Sequence, residues 1–187
     1  MKKFELTAEF VTNVFGKKLF RIKALVAFGN VEKGELGGFI EKEDNLSHDG
    51  DAWVYGNAQV FGDAQVSGNA RVSGNAWVYG NAQVFGDAWV SGNAWVSGNA
   101  RVSGNAWVYD DADYAVVKGF GRYFRTTTFF RCKDKILRVQ CGCFYGDLAQ
   151  FREIVKKTHG DSKYAKEYLA IADLMELHFS DECGGEQ

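Results

Sequence analysis

Several sets of side chains in this sequence could do chemistry. His48, His159 and His178 are its histidines, and histidine is the commonest general base for an acyl transfer. Its thiols are Cys132, Cys141, Cys143 and Cys183. Cys141 and Cys143 flank Gly142 and would point the same way on a strand, where Cys132 or His159 could complete a zinc site. Their one-residue spacing is not that of a zinc knuckle, and buried, reduced thiols are the simpler reading. Lys118, Arg122, Arg125, Arg131, Lys133, Lys135 and Arg138 stand against a single Asp134 and alternate with Phe120, Tyr123, Phe124, Phe129 and Phe130. Cations for phosphate and rings for base stacking are what single-stranded nucleic acid or a nucleotide requires, although a hairpin with a solvated basic face has the same composition. No phosphate-binding glycine loop, dinucleotide fingerprint, zinc-hydrolase helix or serine elbow is present. These motifs assign no catalytic residue, metal or cofactor.

The five tryptophans are placed by a repeat. From Gly50 to Tyr109 the chain reads in hexads, GDAWVY, GNAQVF, GDAQVS, GNARVS and so on, each with Gly, Asn or Asp, Ala, a variable residue, Val, and then Tyr, Phe or Ser. Repetition at this period predicts a parallel β-helix of the hexapeptide kind, three hexads to a triangular coil. On each short strand Ala and Val point inward and the variable residue outward, and Gly followed by Asn or Asp forms the corner. At about 4.8 Å per coil the perfect repeats make a rod roughly 16 Å long. Continuing the alanine slot backward by sixes reaches Leu46 and Ile40, and forward it reaches Ala112, with Tyr114 in the next valine slot; these larger groups could plug the ends.

A stacking interval of 18 residues sorts the outward side chains into three faces. The first carries Trp53, Arg71, Trp89 and Trp107, the second Gln59, Trp77 and Trp95, the third Gln65, Gln83 and Arg101. The last hexad position adds Tyr55 and Tyr109 to the first face, Phe61 and Tyr79 to the second and Phe85 to the third. Asp51, Asp63 and Asp87 each stack on asparagine, so no two carboxylates meet. The segment GNARVSGNAWVY occurs at 68–79 and again at 98–109, an offset of five hexads that puts the two copies on different faces. That suits a modular rod better than an active site built at fixed coordinates. The exposed rings would form an apolar patch larger than a soluble monomer usually shows. Either the C-terminal unit or neighbouring coils cover them, with Arg71 between Trp53 and Trp89, or a partner does.

The flanks differ in kind. In FVTNVFGKKLFRIKAL the alternation around Phe15-Gly16-Lys17-Lys18 predicts an N-terminal β-hairpin. FRTTTFFRC and ILRVQCGCF around Lys133-Asp134-Lys135 predict a second hairpin. Two helices follow, the first with Leu148, Phe151, Ile154 and Val155 on one face and an Asp147–Gln150 capping box, the second with Ala165, Tyr168, Leu169, Ala172 and Met175 together and Asp161 or Ser162 as cap. The expected organisation is a hairpin and capping segment over 1–49, a β-helix over 50–115 and an α+β unit over 116–187.

The segment GELGGFIEKEDNLSHDGDAWVYGNA resembles the start of the YdcK-like β-solenoid proteins, with Gly37, Gly38, Phe39, Ile40, Asn45, Leu46 and Ser47 carrying the likeness over roughly residues 15–115. The resemblance implies a left-handed β-helix. RTTTFFRCKDK, CGCFYG and THGDSKYAKEYLAIADLMELHF resemble tails of proteins from phages and prophages of gut and related bacteria, which implies a phage-encoded protein with a host protein as partner. Hexapeptide solenoids also include acyltransferases, but the perfect repeats contain no histidine, and His48, just before them, suits a corner or capping role.

The formal charge of -2 gives no overall pull toward nucleic acid or membrane. No signal peptide and no membrane span is visible. The expected protein is cytoplasmic and non-catalytic, a scaffold that forms homo-oligomers or holds a protein partner through Trp53, Tyr55, Arg71, Trp77, Tyr79, Trp89, Trp95, Trp107 and Tyr109. The alternatives are an acyltransferase, and nucleic-acid or nucleotide binding through Arg122, Arg125, Arg131, Lys133, Lys135 and Arg138.

Overall fold

The computed structural model describes residues 2–180; Cys183 lies outside them. The chain is mainly β, a solenoid of about four coils followed by two helices. β1 (Phe4–Thr12) and β2 (Lys18–Ala24) pair antiparallel, and β2 pairs antiparallel with β3 (Leu36–Ile40). Ten two-residue strands follow, β4 to β13, from Trp53–Val54 to Trp107–Val108. They stack in parallel as β4-β7-β10-β13, β5-β8-β11 and β6-β9-β12. These are the three faces read from the 18-residue interval, since Trp53 pairs Arg71, Arg71 pairs Trp89 and Trp89 pairs Trp107, while Trp77 pairs Trp95 and Gln83 pairs Arg101. Every alanine and valine of the hexads is buried. The corner glycines from Gly50 to Gly104 hold φ between 60 and 72°, where a Cβ would be strained. On the corner column Asn69 donates its side-chain amide to Asp87 at 3.0 Å, which keeps carboxylates apart.

The ladder between coils has a direction. Most inter-coil N–H groups outside the strand pairs donate to a carbonyl of the next coil, as in Trp53 to Ala70, Tyr55 to Val72 and Asp63 to Gly80, while within each strand pair the valine N–H returns a bond to the previous coil, as parallel pairing requires. The first coil therefore presents mainly spare carbonyls and the last mainly spare N–H groups, and the flanking side chains largely match, with Glu41 Oε2 also accepting from Gly62 N at 2.7 Å at the start and the Tyr114 hydroxyl donating to Trp95 O at the finish. At the start, Lys3 Nζ donates to Gly50 O (3.2 Å) and Ala52 O (2.9 Å), and Asn45 Nδ2 donates to Gly62 O (3.1 Å) and Ala64 O (2.8 Å). At the far end, Asp111 Oδ1 accepts from Trp95 N (2.7 Å), Thr128 Oγ1 from Arg101 N (3.0 Å) and Asp113 Oδ2 from Tyr109 N (2.8 Å).

Apolar plugs complete both ends. Phe4, Ile22, Ile40 and Leu46 join the alanine and valine core at the start. Leu46 and Ile40 do not occupy the alanine slot that counting by sixes gives them: Ile40 lies beside Val60 and Leu46 beside Val66. Two additional residues at the corner between Leu46 and Ala52 break the six-residue count. Gly37 and Gly38 let β3 seat against the coil, since a Cβ on either would come within 2.6 Å of Val54 O or Ala58 O.

At the other end stands a four-stranded antiparallel sheet, β14 (Tyr114–Phe120), β15 (Arg125–Arg131), β16 (Leu137–Cys141) and β17 (Phe144–Asp147). The sequence reading found only the central hairpin. Because side chains alternate along a strand, Phe130 and Cys132 enter the solenoid core while Phe129 enters a second core with the helices. α1 (Leu148–His159) is capped by the Asp147–Gln150 box, and α2 (Lys163–His178) by Ser162. Ile154, expected on the buried face of α1, is exposed. No helix among the described residues is long and apolar enough to cross a membrane.

Asn45 is wholly buried, and its amide also accepts from Lys42 N at 2.9 Å. Asn45→Ala should cost about 2–4 kcal/mol by leaving these backbone groups unpaired, read from urea denaturation; a loss below about 1 kcal/mol would refute its capping role. Burial pushes the Lys3 ammonium from 10.5 down to about 8, against the pull of Asp51 and Asp49. Between those values the folded chain binds fewer protons than the unfolded one, so stability should rise with pH across that window. Denaturation midpoints from pH 7.5 to 10 should show a rise in the wild type that Lys3→Met lacks; equal slopes would contradict it.

Candidate functional site

The solenoid presents indoles on two faces, and its flanks decide which of them meet solvent. Trp53 is fully buried, because Phe4 and Phe28 stand edge-on against it with ring centroids at 6.2 and 5.3 Å. It is therefore not available to a partner, and the cover comes from the N-terminal segment rather than the C-terminal unit. Tyr55 is half-buried against the same core. On the second face Phe15, at the tip of the β1–β2 turn, packs against Trp77 (5.9 Å) and Tyr79 (5.8 Å), and Phe61 stacks on Tyr79 at 5.1 Å and is buried.

Beyond this reach the rings are open. Trp89, Trp95 and Trp107 are 42, 42 and 43% exposed and Tyr109 61%. Trp89 and Trp107 stack at 6.1 Å with 15° between planes, and Trp95 stacks on Trp77 at 4.7 Å and 3°. Trp89 Nε1 donates to Ser73 Oγ at 2.9 Å, which fixes the indole plane. The Tyr109 ring lies against the corner at Gly92, midway between Trp89 and Trp95, and so joins the two faces around one edge of the rod. Arg71 is exposed on the first face, one coil below Trp89. Of the partner-facing residues read from the sequence, the structure leaves Trp89, Trp95, Trp107 and Tyr109 open on two adjoining faces, with Arg71 exposed one coil away, and withdraws Trp53.

The basic stretch does not form one surface. Arg131 pairs with Asp113 at 3.4 Å and lies over Phe179 on the helix side of the sheet, and Arg138 pairs with Asp134 at 2.8 Å. Arg122 and Arg125 flank Tyr123 at one end of β15, while Lys133 and Lys135 follow its other end, roughly 20 Å away for a strand of that length. An extended nucleic acid reading all of these cations would have to cross the sheet.

The remaining candidates resolve into structural roles. His48 stacks on Phe4 at 4.3 Å, accepts from Lys3 N through Nδ1 at 3.2 Å and turns Nε2 toward Glu43 at 3.7 Å, which makes it part of the cap. Cys132 sits in the solenoid core, where burial pushes its thiol up to about 11, whereas Cys141 packs on the helix side of the sheet. Those opposed positions rule out a zinc site shared by Cys132 and Cys141; among the described residues no three His, Cys, Asp or Glu side chains converge. Cys143 is exposed and shares with His159, Cys141 and Tyr168 a 210 Å³ cavity between sheet and helices, where burial raises the Tyr168 hydroxyl to about 12.

Residues 64–80, 82–98 and 94–110 match the family model described as the YdcK beta solenoid repeat. No curated protein matches the sequence.

The covering pattern gives a spectroscopic signature. Iodide should quench most of the tryptophan emission and leave a blue-shifted residue that Trp53→Phe removes. A single, fully quenchable population would show that the N-terminal segment does not seal Trp53.

Proposed function

We propose that this chain, whose rod is built of YdcK β-solenoid repeats, is a non-catalytic scaffold that associates with a second copy of itself through Trp89, Trp95, Trp107 and Tyr109. The observation that carries the proposal is the contrast along each face: indoles within reach of the protein's own aromatic residues are covered, and those past that reach are not. The open rings sum to roughly 450 Å² of apolar surface, the size at which the largest patch on a soluble monomer is often functional. Face-to-face pairing of two such patches would supply the dry centre of an interface of about 800 Å² per partner, with Arg71 and Ser73 in its polar rim.

On this reading the rod is left-handed, as its resemblance to the YdcK-like solenoids implies, and the chain is organised as a cap over 1–49, a solenoid over 50–115 and an end unit over 116–187. The free thiols of Cys132, Cys141 and Cys143 favour a cytoplasmic setting. A second copy fits better than a host protein because a two-fold contact uses the same patch on both partners, and rows of stacked rings can meet their own copy.

Light scattering on the wild type should give a mass above that of the monomer, and Trp89→Ser with Trp107→Ser should return it to the monomer value with the melting temperature nearly unchanged. A monomeric wild type, or an oligomer that both substitutions leave intact, would overturn the proposal.

A further inference from the structure

The third face lacks tryptophan, and the C-terminal sheet leans over its last coils. Between them lies a cleft of 520 Å³ lined by Asn81, Gln83, Asn99, Arg101, Lys118, Arg125, Thr126 and Gly142. Three elements supply its cations: Arg101 from β12, Lys118 from β14 and Arg125 from the start of β15. No carboxylate lines it. Asp63, which stacks in the same corner column one coil below Asn81, is held by Lys42 at 2.8 Å. Among the described residues none of the three cations has an acidic partner within ion-pair distance.

Arg101 is held in place. Its backbone N–H donates to Thr128 Oγ1 at 3.0 Å, its Nη1 to Gly142 O at 3.3 Å, and its guanidinium lies 5.3 Å from the Phe85 ring. Its Nε is buried with no hydrogen-bond partner, a charged donor left unsatisfied. A fixed guanidinium costs little further entropy on binding an oxyanion, and its fork matches the oxygens of phosphate. Asn81, Asn99, Gln83 and Thr126 add neutral donors around it.

We infer that this cleft binds a small phosphate-bearing anion. Three cations without acidic partners suit a ligand of two to three negative charges, and the volume falls in the range of small-molecule sites. The inference uses Arg101 from the solenoid together with Lys118 and Arg125, a grouping that sequence order conceals, and it stands independently of the indole patch.

Calorimetric titration of the full chain with inorganic pyrophosphate at low salt tests it. One site is expected, weakening steeply as salt is added. Lys118→Gln and Arg125→Gln, both exposed positions that leave the fold intact, should each weaken binding about tenfold. Lys133→Gln makes the same charge change at the far end of the sheet and should leave affinity unaltered. Absence of pyrophosphate binding, an equal loss in Lys133→Gln, or citrate binding as tightly as pyrophosphate would each overturn the assignment, the last because the cleft would then read charge alone.

Discussion

The directional bias of the backbone ladder between coils governs how the two ends of the rod are closed. Around each strand most N–H groups donate toward the next coil and the valine N–H donates back, so a stack of hexads leaves mostly carbonyls bare at its start and mostly N–H groups bare at its finish. The two ends are chemically opposite, and the flanking segments differ accordingly. The first offers an ammonium and an amide, Lys3 and Asn45; the second offers carboxylates and a hydroxyl, Asp111, Asp113 and Thr128. The same segments bring the apolar plugs, Phe4 and Ile22 at one end and Phe130 at the other, so backbone pairing and core closure are solved by one piece of chain at each end.

The rod was legible because its rule is periodic. Counting by 18 places every outward residue on its face, and the alternation of Ala-x-Val settles which side chains are dry. The flanks obey no period, and there the reading falters in identifiable ways. Two additional residues at the corner before Ala52 shift Ile40 and Leu46 from the alanine register to the valine register. β14 and β17 escaped because Ala112 and Tyr114 continue the hexad count across the Asp111–Asp113 turn that in fact ends the rod, and the Cys141-Gly142-Cys143 turn is too tight to announce a hairpin by composition. The burial of Trp53 depends on Phe4 and Phe28, which no local pattern links to a residue so much further along the chain. Gly37, Gly38 and Asn45 stood out in the sequence by resemblance alone; the structure gives each a task in seating the first coil.

The two copies of GNARVSGNAWVY show how little of a side chain's role is local. In the first, Arg71 lies exposed on the first face and Trp77 is half-covered by Phe15. In the second, Arg101 is fixed in a cleft beside Gly142 and Trp107 stands open to solvent. Backbone, corner geometry and interior packing are the same in both. What differs is the neighbouring flank, so chemical character on this rod comes from the non-repetitive segments acting on a neutral, repetitive surface.

That separation bears on why indoles stand where they do. The variable slot of the hexad makes no demand for a ring: Gln59, Gln65 and Gln83 occupy it with strands of the same length, the same pairing and fully buried valines beside them. Exposed tryptophan carries a solubility cost that glutamine does not, and Ser73 and Ser91 in the adjoining column show that small polar residues also fit the first face. Trp53 and Trp77 answer to the flank that packs on them. Trp89, Trp95 and Trp107 are covered by neither flank: Trp95 stacks on Trp77, Trp107 on Trp89, and with Tyr109 lying at the corner between the two faces they form the open surface on which the proposed association rests.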